Sequence, residues 1–162
     1  MKLSAQEEYG LRCLLQLARR GERESLTIPQ IGQAEGLSVP NVAKLMRQLR
    51  LAGYVHSARG QAGGYKLARP ARQIIVGDVL DSLGGQVFGP GFCDRHAGKE
   101  SICTHSSDCS IRSLWRAMQE SLTGILSKTT LQDLVSTEPE MDRCLASLPG
   151  ATLRDSKMPD RA

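Results

Sequence analysis

Residues 59–64 read Arg59-Gly60-Gln61-Ala62-Gly63-Gly64, flanked by Tyr54-Val55-His56-Ser57-Ala58 and Tyr65-Lys66-Leu67-Ala68. Three glycines in six positions let the backbone reverse where side chains would obstruct it. The β-branched and aromatic residues outside them favour strands, so the segment is a β-hairpin with a glycine-rich tip. Glycines of this kind can also cradle nucleotide phosphates, but neither a Walker pattern nor a dinucleotide fingerprint surrounds them. What precedes the hairpin decides how it is used.

Three helices are expected before it. Ser4-Ala5-Gln6-Glu7 is a capping box, and Tyr9, Leu11, Leu14, Leu15 and Ala18 continue it as an apolar stripe to about Arg20, where Gly21 stops the helix. Thr27-Ile28-Pro29-Gln30 is a second capping box, opening a short helix that ends at Gly36. Ser38 starts a third, with Pro40 in its first turn and Gly53 at its end. Val42, Leu45, Met46 and Leu49 form its core stripe, so Asn41, Lys44 and Arg47 face elsewhere. Two short helices joined by a tight glycine-containing turn make a helix-turn-helix, and a hairpin after it makes a wing. The fold class expected is mainly α with a small β-wing: a winged helix-turn-helix over residues 1–85.

Charge supports a polyanionic partner. Residues 1–85 hold 12 Lys and Arg against 7 Asp and Glu, whereas residues 86–162 hold 9 against 10. From Leu37 to Arg72 there are seven basic residues (Lys44, Arg47, Arg50, Arg59, Lys66, Arg69 and Arg72) and no acidic one. Such a block is the electrostatic footprint of nucleic acid. Aromatic residues make up only 4%, which argues against the stacked rings of single-strand binding. Double-stranded DNA is therefore the expected partner. Its expected contacts are Ser38, Pro40, Asn41, Lys44 and Arg47 on the third helix and Arg59, Gln61, Gly63 and Tyr65 on the wing. Arg59, at the hairpin base, suits a narrow minor groove or a phosphate.

The remainder is organised around cysteines. Ile75, Val79, Leu80 and Leu83 give a short helix closing the core over 74–83, ended by Gly84-Gly85. Residues 86–109 are expected as a long loop without periodicity. From Ser110, Ile111, Leu114, Trp115, Met118, Leu122, Ile125 and Leu126 recur at helical spacing. That helix, within residues 110–135, carries more apolar surface than a single winged domain needs and is expected to pair with a second copy. Thr130-Leu131-Gln132-Asp133 is read as the cap of a last short turn. Residues 136–162 are expected as a polar, partly disordered tail.

No apolar run approaches the roughly 20 residues of a membrane span, and no secretory signal opens the chain. A cytoplasmic location with reduced thiols is expected, in which five cysteines point to metal or redox chemistry. Cys93, Cys103 and Cys109 share the long loop, with nine and five residues between them. Zinc prefers four ligands, often in paired Cys-x-x-Cys knuckles that this chain lacks. Iron–sulfur clusters take thiolates and accept another donor at one position, for which His96 and His105 are candidates. Spacing leaves both metals open. Cys13 lies beside the first helix's stripe and is expected in the core; Cys144 receives no role. No nucleophile–base constellation supports an enzyme.

The chain resembles the IscR-type regulators, the family that includes the nitric-oxide sensor NsrR and the iron regulator RirA. The likeness rests on Met1-Lys2-Leu3-Ser4, Tyr9, the Leu37-Ser38-Val39-Pro40 turn, the wing through Leu67, Ile75-Val76-Gly77-Asp78-Val79 and the three-cysteine loop before a long helix. It covers roughly residues 1–135. It implies a homodimer on a two-fold DNA site with a 2Fe-2S or 4Fe-4S cluster on Cys93, Cys103 and Cys109. Five residues commonly separate the family's first two ligand cysteines, against nine here; the second interval matches. Some relatives take the fourth ligand from a histidine just after the third cysteine, where this chain has Ser110-Ile111-Arg112-Ser113. Others use a carboxylate near residue 8, which implies Glu8, since Glu7 serves the capping box. The function implied is transcription regulation, repression included, in response to iron–sulfur, redox or nitric-oxide status. Two other readings stay open: a thiol–disulfide or zinc-responsive regulator without a cluster, and an iron–sulfur carrier or electron-transfer protein.

Overall fold

The computed structural model describes residues 4–21, 24–58, 63–86, 88–89, 91–97, 102–103, 105 and 107–148. Helix α1 (Ala5–Arg20) starts from the expected reciprocal cap. The Ser4 N–H donates to Glu7 Oε2 at 2.8 Å, and the Glu7 N–H donates to Ser4 Oγ at 3.3 Å. Gly10, Cys13, Leu14 and Leu17 are its buried face. A Cβ on Gly10 would stand 2.5 Å from Leu83 Cδ1, so a larger residue there would have to displace the end of that side chain. Helix α2 (Ile28–Glu35) has its own box, Thr27 with Gln30, and ends at Gly36, whose φ of 65° is the left-handed conformation glycine favours. Helix α3 (Val39–Leu51) buries Val42, Leu45, Met46 and Leu49, the stripe expected from periodicity.

Strands β1 (Val55–Ala58) and β2 (Gly64–Leu67) pair antiparallel, with Val55 opposite Leu67 and Ala58 opposite Gly64. The hairpin is anchored from behind: Leu26 N–H donates to Tyr65 O at 2.9 Å, and Tyr65 N–H donates to Leu26 O at 2.8 Å. The fold is therefore the expected mainly helical one with a two-stranded wing. Leu14, Leu17, Ile31, Leu45, Met46, Leu49 and Ile74 are fully buried in one cluster. Each contributes about 1.5–3 kcal/mol on burial.

Helix α4 (Val76–Leu83) closes this core with Val79 and Leu83, and Val76 at its start is also buried. It starts two residues later than periodicity placed it, after a 3-10 turn at Ala71–Gln73. Helix α5 (Phe92–Arg95) is one turn inside the stretch expected as loop; four residues are too few to show a period. Helix α6 (Ser110–Leu126) buries none of its residues, and Ile111 and Leu114 are each 56% exposed. The chain after α6 returns to the winged domain. Val76 N–H donates to Thr129 O at 2.9 Å, Leu131 N–H donates to Ile74 O at 2.8 Å, and Leu131 is fully buried. Thr130 and Asp133 are joined just before the 3-10 turn Asp133–Val135, with the Thr130 N–H and hydroxyl both 2.8 Å from Asp133 Oδ2, but the residue at the turn's N-cap is Gln132, which makes no side-chain cap bond. Helix α7 (Glu138–Ala146) then stands within the segment expected as polar tail. Its start, Thr137 boxed with Glu140 and Pro139 in the first turn, repeats the signature of α2. No helix is long and apolar enough to cross a membrane among the described residues.

Candidate nucleic-acid interface and cysteine loop

The first candidate surface is the outer side of α3. With Val42, Leu45, Met46 and Leu49 turned inward, Ser38, Val39, Pro40, Lys44, Arg47 and Arg50 are exposed and Asn41 is half-exposed. Ser38 caps α3 without a side-chain hydrogen bond, unlike Ser4 and Thr27, so its hydroxyl is available to an outside partner. No ion pair engages Lys44, Arg47 or Arg50 among the described residues. On the wing, Arg59 and Gln61 lie outside the described residues. Gly63 is half-buried, and Tyr65 is half-buried against the core. At the hairpin's base the Arg69 guanidinium stands 5.1 Å from the ring centroid of buried Tyr54.

A polar clamp fixes how α2 sits on α1. Arg12 Nε donates to Glu35 Oε2 at 2.6 Å, an Arg12 terminal nitrogen donates to the Glu35 carbonyl at 2.8 Å, and Gln16 Nε2 donates to Glu35 Oε1 at 2.5 Å. The hydrogen bond to Glu35 raises the Arg12 pKa above its ordinary value. Because α2 presents α3, this clamp positions the exposed face. Sequence reasoning missed it, although a signal existed: Glu35 is the only acidic residue between Glu24 and Asp78.

The second candidate surface is the cysteine loop. Its root is held by the first turn of α1. Gln6 Nε2 donates to the Leu83 carbonyl, and the Glu7 side chain lies where a Cβ on Gly84 would stand. Glu8, beside them, is exposed. Cys93, Cys103 and Cys109 are each half-buried. Cys93 lies within α5, and Cys109 caps α6, its Sγ accepting the Arg112 N–H at 3.3 Å. His105 is exposed, and its carbonyl accepts an Arg112 guanidinium N–H at 3.1 Å. His96 is exposed and stacks on Phe92. Among the described residues, no three Cys, His, Asp or Glu side chains are gathered as a metal site. Cys13 is fully buried, as expected, and burial pushes its thiol pKa up to about 12. The short aromatic ladder of Phe88, Phe92 and His96 also escaped sequence reasoning. Its signal was a four-residue interval repeated once.

Comparison with known proteins adds a lineage to this geometry. The family description "Rrf2: Iron-dependent Transcriptional regulator" matches residues 3–137. Protein rrf2 of Nitratidesulfovibrio vulgaris is 37% identical over 135 residues, covering 83% of this chain and 87% of that protein. Among solved structures, CymR (YrzC), the global cysteine regulator of B. subtilis, superposes with a TM-score of 0.69 at 28% identity, over 83% of this chain and 96% of that one. IscR of T. potens superposes with a TM-score of 0.66 at 31% identity, over 83% of this chain and 86% of that one.

Proposed function

We propose, since the chain belongs to the Rrf2 family of iron-dependent transcriptional regulators, that it is a homodimeric, sequence-specific DNA-binding regulator whose cysteine loop holds an iron–sulfur cluster. The DNA reading is carried by the outer face of α3, which exposes Ser38, Pro40, Lys44 and Arg47 on a helix whose other side is core. In this reading α3 enters the major groove, where Asn41 and Lys44 reach base edges and Arg47 reaches phosphate. The wing, with Arg59, Gln61, Gly63 and Tyr65, lies along the adjacent backbone or minor groove. The apolar side of α6, including Ile111, Leu114 and Trp115, packs on its twin and sets the separation of the two recognition helices. Half-sites one helical turn apart need a separation of about 34 Å. The protein works in the cytoplasm and represses or activates by occupying its operator.

Cys93, Cys103 and Cys109 would hold the cluster, with Glu8 or His96 as the fourth donor. Three thiolates and one harder ligand are a donor set that iron–sulfur clusters accept. A bound cluster would make the site responsive to iron, redox poise or nitric oxide. The loop joins α4, which packs on α1 and α3, to the pairing helix α6. Ordering of the loop is thereby coupled to the placement of α3. Coupling requires that the ordered and disordered loops have different DNA affinities.

Anaerobic purification with absorption spectroscopy and iron and sulfide counts tests the cluster. Selection from a random duplex library tests DNA recognition. Brown protein with equal iron and sulfide, enriching a two-fold sequence, is the expected result. Colourless protein without iron would remove the cluster, and failure to enrich any sequence would remove the operator. A second reading has its own support. Among the described residues the three thiols are not gathered to hold a metal, and CymR, a global cysteine regulator, is a structural neighbour. The loop would then answer thiol chemistry or zinc directly, and the selected duplex would respond to oxidant without iron.

A further inference from the structure

Large apolar side chains that stand in solvent are few among the described residues: Val39, Leu51, Ile102, Ile111 and Leu114. Ile111 and Leu114 lie on α6, the proposed pairing helix, and Ile102 lies in the cysteine loop. Val39 and Leu51 are the first and last residues of α3, 50% and 65% exposed. At 1.5 Å per residue they stand about 18 Å apart along the helix axis. In a helix laid in the major groove, the N-terminal residues are the ones that contact base edges. Val39 is at that end, within the block from Leu37 to Arg72 that holds seven basic residues and no acidic one.

The turn before α3 holds this side chain out. Leu37 N–H donates to Gly32 O at 2.9 Å, and Leu37 packs against the core. A Cβ on Gly32 would stand 2.8 Å from Leu37 O, so the two backbones are in close contact. Ser38, Val39 and Pro40 follow as three exposed residues. Val42 N–H donates to Ser38 O at 3.0 Å, which closes the first turn, and the Pro40 ring fixes its own φ. Valine is branched at Cβ and in a helix keeps largely to one χ1 rotamer. Its two methyl groups are thus in place before DNA arrives, and little conformational freedom is lost on contact. Ala43, one turn further along the same side of the helix, is too short to shield them.

On the major-groove edges of the base pairs, the thymine 5-methyl is the one alkyl group; the others are hydrogen-bond donors and acceptors. A valine set against those would cover a polar group without pairing it, which costs binding. Set against the methyl, two apolar surfaces leave water together. We infer that Val39 is a specificity-determining residue that selects thymine, through contact of its methyl groups with the thymine 5-methyl, at one position in each half-site. The inference rests on the reading of α3 as the helix that enters the major groove. To the polar contacts assigned to Asn41 and Lys44 it adds one that no hydrogen bond supplies.

The test uses the full chain and the duplex it selects from a random library. Each thymine is replaced in turn by deoxyuridine, which removes the 5-methyl and leaves every hydrogen-bonding group in place. At one symmetric position the replacement should weaken wild-type binding by about fourfold per half-site, the worth of one methyl group kept from water. Val39→Ala should bind the thymine duplex more weakly by a similar factor and lose little further affinity when that position becomes uracil. Leu51→Ala should keep the wild-type sensitivity to uracil. Circular dichroism and sedimentation should show wild-type fold and assembly in both variants; a change of either in Val39→Ala would make Val39 a protein contact and overturn the inference. It is also overturned by uracil penalties equal in wild type and Val39→Ala at every position, by a wild type with no penalty anywhere, and by selected half-sites without thymine. Those failures leave α3 as a reader of DNA. If no sequence is enriched, or if Lys44→Ala and Arg47→Ala bind the selected duplex as wild type does, the DNA reading of α3 has failed and this inference falls with it.

Discussion

Glu35 has a side chain only 8% exposed, and three hydrogen bonds from α1 reach its carboxylate and carbonyl. A buried carboxylate is tolerable only while its donors remain. Arg12→Ala should therefore cost about 2–3 kcal/mol, read from the urea midpoint, because Gln16 alone is left to the charge. Arg12→Met with Glu35→Leu together should recover most of that loss; if the double variant is the less stable of the two, the clamp contributes more than charge compensation. Cys13 gives a second prediction. Its thiol pKa is raised by burial to about 12 from an ordinary value of 9.0. The protonated thiol is the form the core accepts, so its contribution to stability is full below about pH 9 and is lost as pH rises toward 12. In native protein at pH 8, iodoacetamide should modify the half-buried loop cysteines and Cys144 well before Cys13; early labelling of Cys13 would mean that α1 opens. The two kinds of contact differ in legibility. Ser4 with Glu7 and Thr27 with Gln30 lie three residues apart and were readable as boxes. Arg12 and Glu35 lie 23 apart and meet only after α2 has folded onto α1.

Elements were legible in proportion to their periodicity. The stripe of α3 and the alternation of glycine with strand residues in the wing each determine one structure. Helix α7 has the same opening signature as α2, but only Met141, Cys144 and Leu145 are half-buried along it, so its apolar stripe is too thin to register as a period. The three cysteines were legible as a group by their crowding in one loop, whereas the orientation of His96 depends on a carbonyl and a ring that no spacing rule specifies. The wing carries a sharp prediction. A Cβ on Gly64 would stand 2.5 Å from Leu26 O and 2.7 Å from Leu26 C. That is backbone against backbone, with no flexible side chain to yield. Gly64→Ala should part the Leu26–Tyr65 bridge and shift the hairpin, lowering stability by about 1–3 kcal/mol. The Kd for the selected duplex should rise more than a stability loss of that size explains. A wild-type Kd in a folded Gly64→Ala protein would show that the wing does not contribute to binding.

At the scale of the whole molecule, the apolar side of α6 and the basic side of α3 make one joint prediction. Ile111 and Leu114 are both 56% exposed on a helix with no buried residue, an arrangement that suits burial against a second copy. Leu114→Glu places a charge on that face, and sedimentation should show the proposed dimer falling to a monomer with its helical signal intact. DNA binding then reports the same event electrostatically. The logarithm of affinity falls against the logarithm of salt with a slope of about −0.9 per phosphate neutralised. A dimer presents every cation twice, so the Leu114→Glu monomer should show about half the wild-type slope. Arg47→Ala, which keeps the dimer, should lower the slope by about two units if both copies of that side chain meet phosphate. Lys44→Ala should instead reduce discrimination between the selected duplex and its point-substituted relatives, by about 1–3 kcal/mol at the position it reads. A slope unchanged by Leu114→Glu in a verified monomer would mean that one winged domain carries the whole interface, and the two-fold operator would have no basis.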